Sequence, residues 1–425
     1  RKDNLDTATN TLINALEGDD IALIGSAANA VENASKNVGT SNISKSGQNL
    51  NDKKPNFIII VTDDQDAKTL DVYGDQSCDT PEIDKLSKKG MTFHSAYHMG
   101  SYRAAVCTPS RIMLMTGRFL WETTGFNINY PPLNYVHKAA ENYAKISPAD
   151  PAYVSLPAIF KRNGYYTFRT SKRGNSYEGA NLLFEERYDK KNREADPENG
   201  SKWHADKVIK YLEKRKTKQE TQPFLIYLGF SHPHDPRHGR PELLKKYGAI
   251  DPGPPDIVNK RAPKLPINYL PKHPFPVGHP DLRDKNEVEG VMQRRDEATI
   301  RNEKGKEFAV IEEIDNQIGR VIKRLKSSGE LDNTYIIFTS DHGIAVGKHG
   351  LMGKQNLYQH SLKVPFIVSG PNVEKQSSSK GNIYLLDLLP TLCDLANIEI
   401  PDSVDGKSFK QVLFGDQQTI RDVLY

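Results

Sequence analysis

Four short strand-like runs in this chain each break off in ionisable side chains, and that repetition constrains the fold more than any other feature. Phe57 to Val61 stops at Asp63-Asp64, and Tyr165 to Thr170 leads to Lys172. Phe224 to Phe230 leads to Ser231-His232-Pro233-His234, and Tyr335 to Thr339 leads to Asp341-His342-Gly343. The first run is continuously apolar and β-branched, the pattern of a strand buried on both faces of a parallel sheet. Between the runs, apolar residues recur at helical spacing over Thr80 to Lys89, Leu156 to Asn163, Ser201 to Lys214 and Glu307 to Lys326. Alternating strands and helices predict an α/β fold, a large and mainly parallel sheet sandwiched by helices. Ligands of such sheets bind beyond the carboxyl ends of the strands, where all four polar clusters would meet.

The 425 residues, 37% of them hydrophobic, suffice for one large core with or without a small second one. Residues 1–54 read as an accessory N-terminal segment: two helix-like stretches, Leu5 to Leu16 and Ile21 to Asn33, then a Ser/Asn/Gly/Lys-rich linker. The main domain is placed at 55–425. Within it, residues 236–303 are rich in Pro, Lys and Arg without periodicity, too long for an ordinary connection, and are expected to be a functional insertion lying over the site. The sequence opens at Arg1 without a basic-then-apolar leader, so an export signal removed or trimmed is the expectation. No run approaches the roughly 18 to 20 apolar residues that span a bilayer, so no membrane partner is expected. Lys and Arg exceed Asp and Glu by only 58 to 54, a lean toward anionic partners well short of a nucleic-acid binder.

Asp63 and Asp64 are adjacent carboxylates at a strand end, where their repulsion needs relief by a cation or a proton. A hard divalent ion such as calcium, with 6 to 8 oxygen ligands, is one solution; a turn or a helix cap is the other. Asp341 ends another strand and could supply a third carboxylate to the same ion. His342 reads either as a ligand or as a satisfied interior histidine. Three cysteines leave at least one unpaired. Cys78 and Cys393 read as buried hydrophobes. Cys107, in Cys107-Thr108-Pro109-Ser110-Arg111, stands where a loop enters a helix, with Pro109 tolerated in the first turn and the helix N-terminus favouring anions.

The run C-T-P-S-R resembles the C-x-P-S-R signature of type I sulfatases of the alkaline phosphatase superfamily, in which the cysteine is oxidised to formylglycine. Further landmarks follow in the family's order over roughly residues 55 to 425. Val61-Thr62-Asp63-Asp64 is similar to its first metal-binding strand end. Thr339-Ser340-Asp341-His342-Gly343 with Gly347-Lys348-His349-Gly350 is similar to its D-H-G…G-x-H-G block, and Gly353-Lys354-Gln355-Asn356-Leu357-Tyr358 to its lysine motif. Asp387-Leu388-Leu389-Pro390-Thr391-Leu392 resembles its late helix. The D-H-G form and His279-Pro280-Asp281-Leu282-Arg283-Asp284 are closest to iduronate-sulfatase-like and bacterial polysaccharide sulfatases.

The resemblance implies an alkaline-phosphatase-like sheet and hydrolysis of sulfate esters on a sulfated polysaccharide or its oligosaccharides. It implies one calcium ion held by Asp63, Asp64, Asp341, His342 and the modified Cys107, and a formylglycine-generating system as partner. Arg111 would hold the formylglycine hydrate, and Lys172, His234 and Lys354 would clamp sulfate and manage protons. His232, Arg173 and His349 are weaker substrate contacts, His349 equally readable as ordering a Gly-rich turn. Lys260, Arg261, Lys264, Lys272, Arg283, Arg294 and Arg295 suit a polyanion and equally a solvated basic surface. Two departures stand out. Gly174 occupies the place of a histidine found two positions after the first lysine in many relatives, with Arg173 or Asn175 as substitutes. The sequence stops at Tyr425, near where a smaller C-terminal sheet subdomain would begin at about 420, so that part is read as largely absent from this chain or carried by a separate one. Other readings are a phosphonate or phosphodiester hydrolase of the same superfamily and a non-catalytic binder of sulfated glycans. A secreted, periplasmic or lysosomal-like setting goes with the first.

Overall fold

Strand β1 (Asn56–Asp63) is buried at every position, and its odd and even residues serve different cores. Phe57, Ile59 and Val61 pack on one face of the sheet, Ile58 and Ile60 on the other. Successive strand side chains point to opposite faces, so a run apolar at every position demands cover on both sides. That cover is helical. Pro81–Lys88, Ser201–Thr217 and Glu297–Ser328 lie over one face, and Cys107–Thr116, Leu156–Arg162 and Leu388–Leu395 over the other. Truncating one such side chain, Ile59→Ala for example, costs about 2–5 kcal/mol in a core of this kind.

The computed structural model describes residues 53–74, 77–101, 106–123, 138–190, 200–274 and 294–425. The chain divides at Lys53/Lys54 into two units, and the elements below belong to the second, Lys54–Tyr425. The helix-like stretches read at Leu5 to Leu16 and Ile21 to Asn33 lie outside the described residues, as does His279-Pro280-Asp281-Leu282-Arg283-Asp284.

The remaining strands are β2 (Met91–Phe93), β3 (Ala96–Tyr97), β4 (Tyr166–Ser171), β5 (Glu186–Asp189), β6 (Phe224–Pro233), β7 (Thr334–Ser340), β8 (Phe366–Ser369), β9 (Ser377–Ser379) and β10 (Ile383–Tyr384). Eight of them form one sheet in the order β5-β4-β6-β1-β7-β8-β2-β9. From β5 to β7 every pairing is parallel, while β8 runs against both β7 and β2. The mainly parallel α/β sheet is therefore as the sequence implies. β3 and β10 form a separate two-stranded ribbon.

Two boundaries differ from the sequence reading. β6 continues through Pro233, so His232 is a strand residue rather than part of the loop that follows. The long helix starts at Glu297, not Glu307, and takes in the end of the 236–303 insertion. Asp296 caps it by accepting from the Thr299 N–H. Gly305 interrupts the apolar rhythm in its first turns because a Cβ there would lie 2.7 Å from the Tyr247 carbonyl oxygen. Among the described residues no helix is long and apolar enough to cross a membrane. At the other end, residues near 420 pack back onto this unit: the Arg421 guanidinium pairs with Asp387, and the Tyr384 hydroxyl donates to the Tyr425 carbonyl at 2.6 Å.

Candidate active site

The carboxyl ends of β1, β4, β6 and β7 deliver the charged groups. In a regular strand Asp63 and Asp64 would point to opposite faces. Here the β1–β6 register shifts between Val61 and Asp63, and Asp64 takes a left-handed conformation at φ 69°. Aspartate is one of the few non-glycine residues found there with any frequency. The kink brings both carboxylates to Cys107, whose thiol lies 3.7 Å from Asp63 Oδ1 and 4.0 Å from Asp64 Oδ1. Asp341, at the end of β7, joins them by accepting the Asp64 backbone N–H at 3.2 Å.

Cys107 is the first residue of a ten-residue helix buried along its whole length, and is itself 1% exposed. Its Sγ is thus fixed at a helix N-terminus, where unpaired N–H groups and the dipole favour negative charge. Arg111 follows one turn later on the same helix face. Its Nε donates to Asp341 Oδ2 at 2.9 Å, its Nη1 to Ser171 Oγ at 3.3 Å, and its Nη2 lies 3.4 Å from Asp63 Oδ1. Gly229 on β6 makes room for this, since a Cβ there would lie 2.4 Å from Ser171 Oγ.

Three further cations close the cluster. Lys172, directly after β4, donates to Asp63 Oδ1 at 2.7 Å. Lys354 reaches both oxygens of Asp64 at 2.7 and 2.8 Å and lies 3.4 Å from Cys107 Sγ. His342 Nδ1 faces the Gly343 carbonyl at 2.9 Å and must donate to it, which leaves Nε2 facing Cys107 Sγ at 3.1 Å and Asp64 Oδ1 at 3.2 Å. Burial disfavours the imidazolium, yet Asp341 and Asp64 outweigh it and raise the His342 pKa to about 9. Burial also pushes the Asp64 carboxyl up against the pull of Lys354 and His342. Asp341 is held below the usual carboxylate range because His342 and Arg111 overcome its burial. His234 stands at the rim: its Nδ1 donates to the Asp235 carbonyl at 2.7 Å, and its Nε2 lies 3.8 Å from Asp64 Oδ2.

These residues can hold a metal ion. One ligand atom from each of Asp63, Cys107, Asp341 and His342 lies within 4.8 Å of the others, and Asp64, Cys107 and His234 form a second such group. Asp63 and Asp341 in the first group and Asp64 in the second are buried carboxylates, the donor chemistry of a hard divalent cation. All three cysteines, Cys78, Cys107 and Cys393, are buried and free of disulfides.

His232 is buried close enough to His204 to disfavour that ring's charge. Arg173 is half-buried in the turn after Lys172, where Gly174 and Asn175 both have positive φ, at 82° and 46°. A histidine at 174 would be strained in that backbone, which accounts for the glycine. His349 is held by the insertion: its N–H donates to the Asn268 carbonyl at 2.8 Å, Asn268 Nδ2 meets its Nε2 at 2.9 Å, and its ring stacks on Tyr358 at 4.2 Å. Sequence reasoning passed over His98, whose ring lies edge-on to His342 at 5.9 Å. Its Nδ1 accepts from Gly100 N–H and its Nε2 donates to the Ser361 carbonyl, and burial lowers its pKa to about 4. A neutral ring therefore backs the charged one. No short motif marks His98, because its role comes from packing.

Comparison with known proteins places the chain in a family. A family model described as Sulfatase matches residues 55–398, and the chain belongs to the sulfatase family. It is 27% identical over 383 residues to arylsulfatase K of Gallus gallus, an overlap covering 85% of this chain and 66% of that protein. It is likewise 27% identical over 373 residues to an ulvan-active sulfatase of Formosa agariphila, covering 85% of this chain and 65% of the relative. The chain thus spans just under two thirds of the length of these two relatives. Among solved structures, a protein in complex with its substrate D-glucosamine-2-N,6-O-disulfate superposes with TM-score 0.62 at 21% identity, covering 88% of this chain and 82% of that one. A 2-O GAG sulfatase gives TM-score 0.63 at 24% identity over 86% and 75%. A phosphonate monoester hydrolase of Silicibacter pomeroyi gives 0.62 at 18% over 86% and 77%. At these identities the structural likeness speaks to the fold, which these proteins share.

Proposed function

We propose that this protein hydrolyses sulfate esters on a sulfated polysaccharide or its oligosaccharides. The observation that carries the reading is the meeting at Cys107 Sγ of groups from well-separated segments: Asp63 and Asp64, His342, and Lys354. The relatives named as an ulvan-active sulfatase and a GAG sulfatase support the glycan as substrate class. Calcium is the ion we assign to Asp63, Asp64, Asp341 and His342, with Cys107 as formylglycine completing the set. Replacing sulfur by oxygen there moves the donors toward those calcium prefers. A formylglycine hydrate supplies a hydroxyl nucleophile and a second hydroxyl through which the aldehyde is restored, and the ion supplies Lewis acidity.

The chain's own residues do the rest. Arg111, Lys172 and Lys354 surround the Cys107 position with positive charge, where a sulfate group would sit and where charge grows as the S–O bond breaks. His234, with Nδ1 committed to the Asp235 carbonyl and Nε2 3.8 Å from Asp64 Oδ2, is the group we assign to hand a proton to the departing alcohol. Burial of the carboxylates excludes water and strengthens each of these interactions. His232, Arg173 and His349 stay as candidate outer contacts of the substrate, and the insertion as its cover. A formylglycine-generating system is the required partner. A secreted or periplasmic setting goes with the relationship to an extracellular sulfatase of Drosophila melanogaster, 25% identical over 404 residues and covering 33% of that protein.

The test is to produce the protein together with a formylglycine-generating enzyme and compare turnover of 4-nitrophenyl sulfate, an aryl phosphodiester, an aryl phosphonate and defined sulfated oligosaccharides. A dominant sulfatase rate is expected. The phosphonate monoester hydrolase of the same fold is the reason for the other substrates, and a faster rate on either would replace this reading. An unmodified thiol at full occupancy in peptides over Cys107, from the native source, would point instead to a binder of sulfated glycans.

A further inference from the structure

Lys354 follows a tight hairpin rather than a strand end, so its place is set by whatever holds that hairpin. Two backbone hydrogen bonds close it, from Ala345 N–H to the Gly353 carbonyl at 2.8 Å and from Gly347 N–H to the Leu351 carbonyl at 2.9 Å. At its tip Gly347, His349 and Gly350 all have positive φ, at 77°, 53° and 74°. Histidine is among the few non-glycine residues found in that region, and such a conformation persists only where the surroundings over-determine it.

The insertion supplies those surroundings. Asn268 holds His349 twice, accepting its N–H at 2.8 Å and placing Nδ2 2.9 Å from its Nε2. Tyr269 pairs with Lys348 as an antiparallel bridge, and the Arg295 guanidinium donates to the Gly350 carbonyl. A Cβ at Gly350 would collide with the backbone of Lys272 and His273. The far side of Lys354 is tied to the same histidine. Tyr358 stacks on His349 at 4.2 Å with the ring planes 12° apart, and His360 stacks on Tyr358 at 5.5 Å. Residues 349–358 thus form a loop closed by a ring pair, with Lys354 inside it. A lysine stem is flexible, yet this ammonium meets both Asp64 oxygens and lies 3.4 Å from Cys107 Sγ. Holding the loop at both ends limits where the ammonium can go.

We propose that Asn268 is a positioning residue that acts through Lys354: by fixing His349, and with it the Tyr358 stack, it holds the ammonium where the sulfate group binds. It rests on the reading of Lys354 as a sulfate contact. The insertion then takes part in the reaction as well as covering the site.

The test titrates the full chain calorimetrically with inorganic sulfate and assays the formylglycine-bearing protein on 4-nitrophenyl sulfate. A misplacement of about 1 Å can cost up to about 10²-fold in rate, so Asn268→Ala and Tyr358→Ala are each expected to weaken sulfate binding and lower kcat/KM about tenfold. Tyr358→Phe keeps the ring and should stay within about twofold of the wild type. The deciding comparison is a double-mutant cycle, in sulfate affinity and in kcat/KM, run for both alanine variants. With Lys354→Ala already in place, neither should bring a further loss, whereas a residue that merely supports the fold would cost the same factor with or without the lysine. Undiminished sulfate affinity in both alanine variants overturns the proposal, as does an additive cycle. A wild-type protein without sulfatase activity but with non-additive dependence of sulfate binding on Asn268 and Lys354 would remove the catalytic reading and keep the positioning role.

Discussion

Arg111 Nε lies 2.9 Å from Asp341 Oδ2, and neither side chain has any exposure to solvent. A buried ion pair gains little over an apolar pair, but removing one partner leaves the other charged in low dielectric. Arg111→Met is therefore expected to cost about 3–5 kcal/mol in urea unfolding. Arg111→Lys should cost less in stability yet lose most activity, because one ammonium cannot span Asp341, Ser171 and Asp63 together. Equal stability of Arg111→Met and the wild type would contradict the pairing.

Cys107→Ala and Asp341→Asn should each lower turnover by on the order of 10³-fold or more while the protein remains soluble and folded. Calcium content by emission spectroscopy should approach one ion per chain in the wild type and fall in Asp341→Asn. Chelation should lower the melting temperature, and calcium in excess should restore it, adding about 2.7 kcal/mol of stability at a hundredfold of its dissociation constant. Near-normal rates in either variant would refute the site as drawn.

Gly343→Ala tests the close approach beside His342. A Cβ at 343 would lie 2.0 Å from the His360 carbonyl oxygen, which is backbone and cannot step aside cheaply. Overpacking of this kind costs about 1–3 kcal/mol. The same shift displaces the carbonyl that accepts from His342 Nδ1, so activity should fall by more than stability alone explains.

His204 gives a pH dependence of its own. Buried and facing Arg169 and His232, it has its pKa lowered from 6.5 to about 3, with burial the larger cause. Below pH 6.5 the unfolded chain takes up a proton that the folded chain refuses. Stability from this group is thus complete above about pH 6.5 and is lost as pH falls toward 3, at up to about 1.4 kcal/mol per unit. His204→Gln should flatten the difference in urea midpoint between pH 7 and pH 5. Identical slopes in wild type and variant would rule this out.

The strand ends were legible because a strand buried on both faces has to be apolar at every position, and an abrupt Asp-Asp or Asp-His at its end then stands out. Cys107, Arg111, Lys172 and Lys354 were readable from motif positions, and the structure brings all four to the same carboxylates. The first turns of the long helix were hidden by Arg301, Asn302, Glu303 and Lys304 together with Gly305, a residue chosen by a neighbouring carbonyl rather than by helix propensity. The antiparallel course of β8 left no mark, since Phe366–Ser369 is a four-residue apolar strand that reads alike in either direction. His349 could not be assigned from its Gly-rich surroundings, because the Asn268 that fixes it lies 81 residues away in the insertion.

The burial of Cys107 has a temporal consequence. At 1% exposure, on a helix with no exposed residue, the thiol lies beyond the reach of any modifying enzyme once the sheet and its helices have closed. On the proposed reading of Cys107 as a formylglycine precursor, oxidation and folding compete for the same chain, and whichever is faster decides its fate. A preparation of this protein would then be a mixture of competent and permanently silent molecules, its proportions set by the pace of folding in the cell that made it.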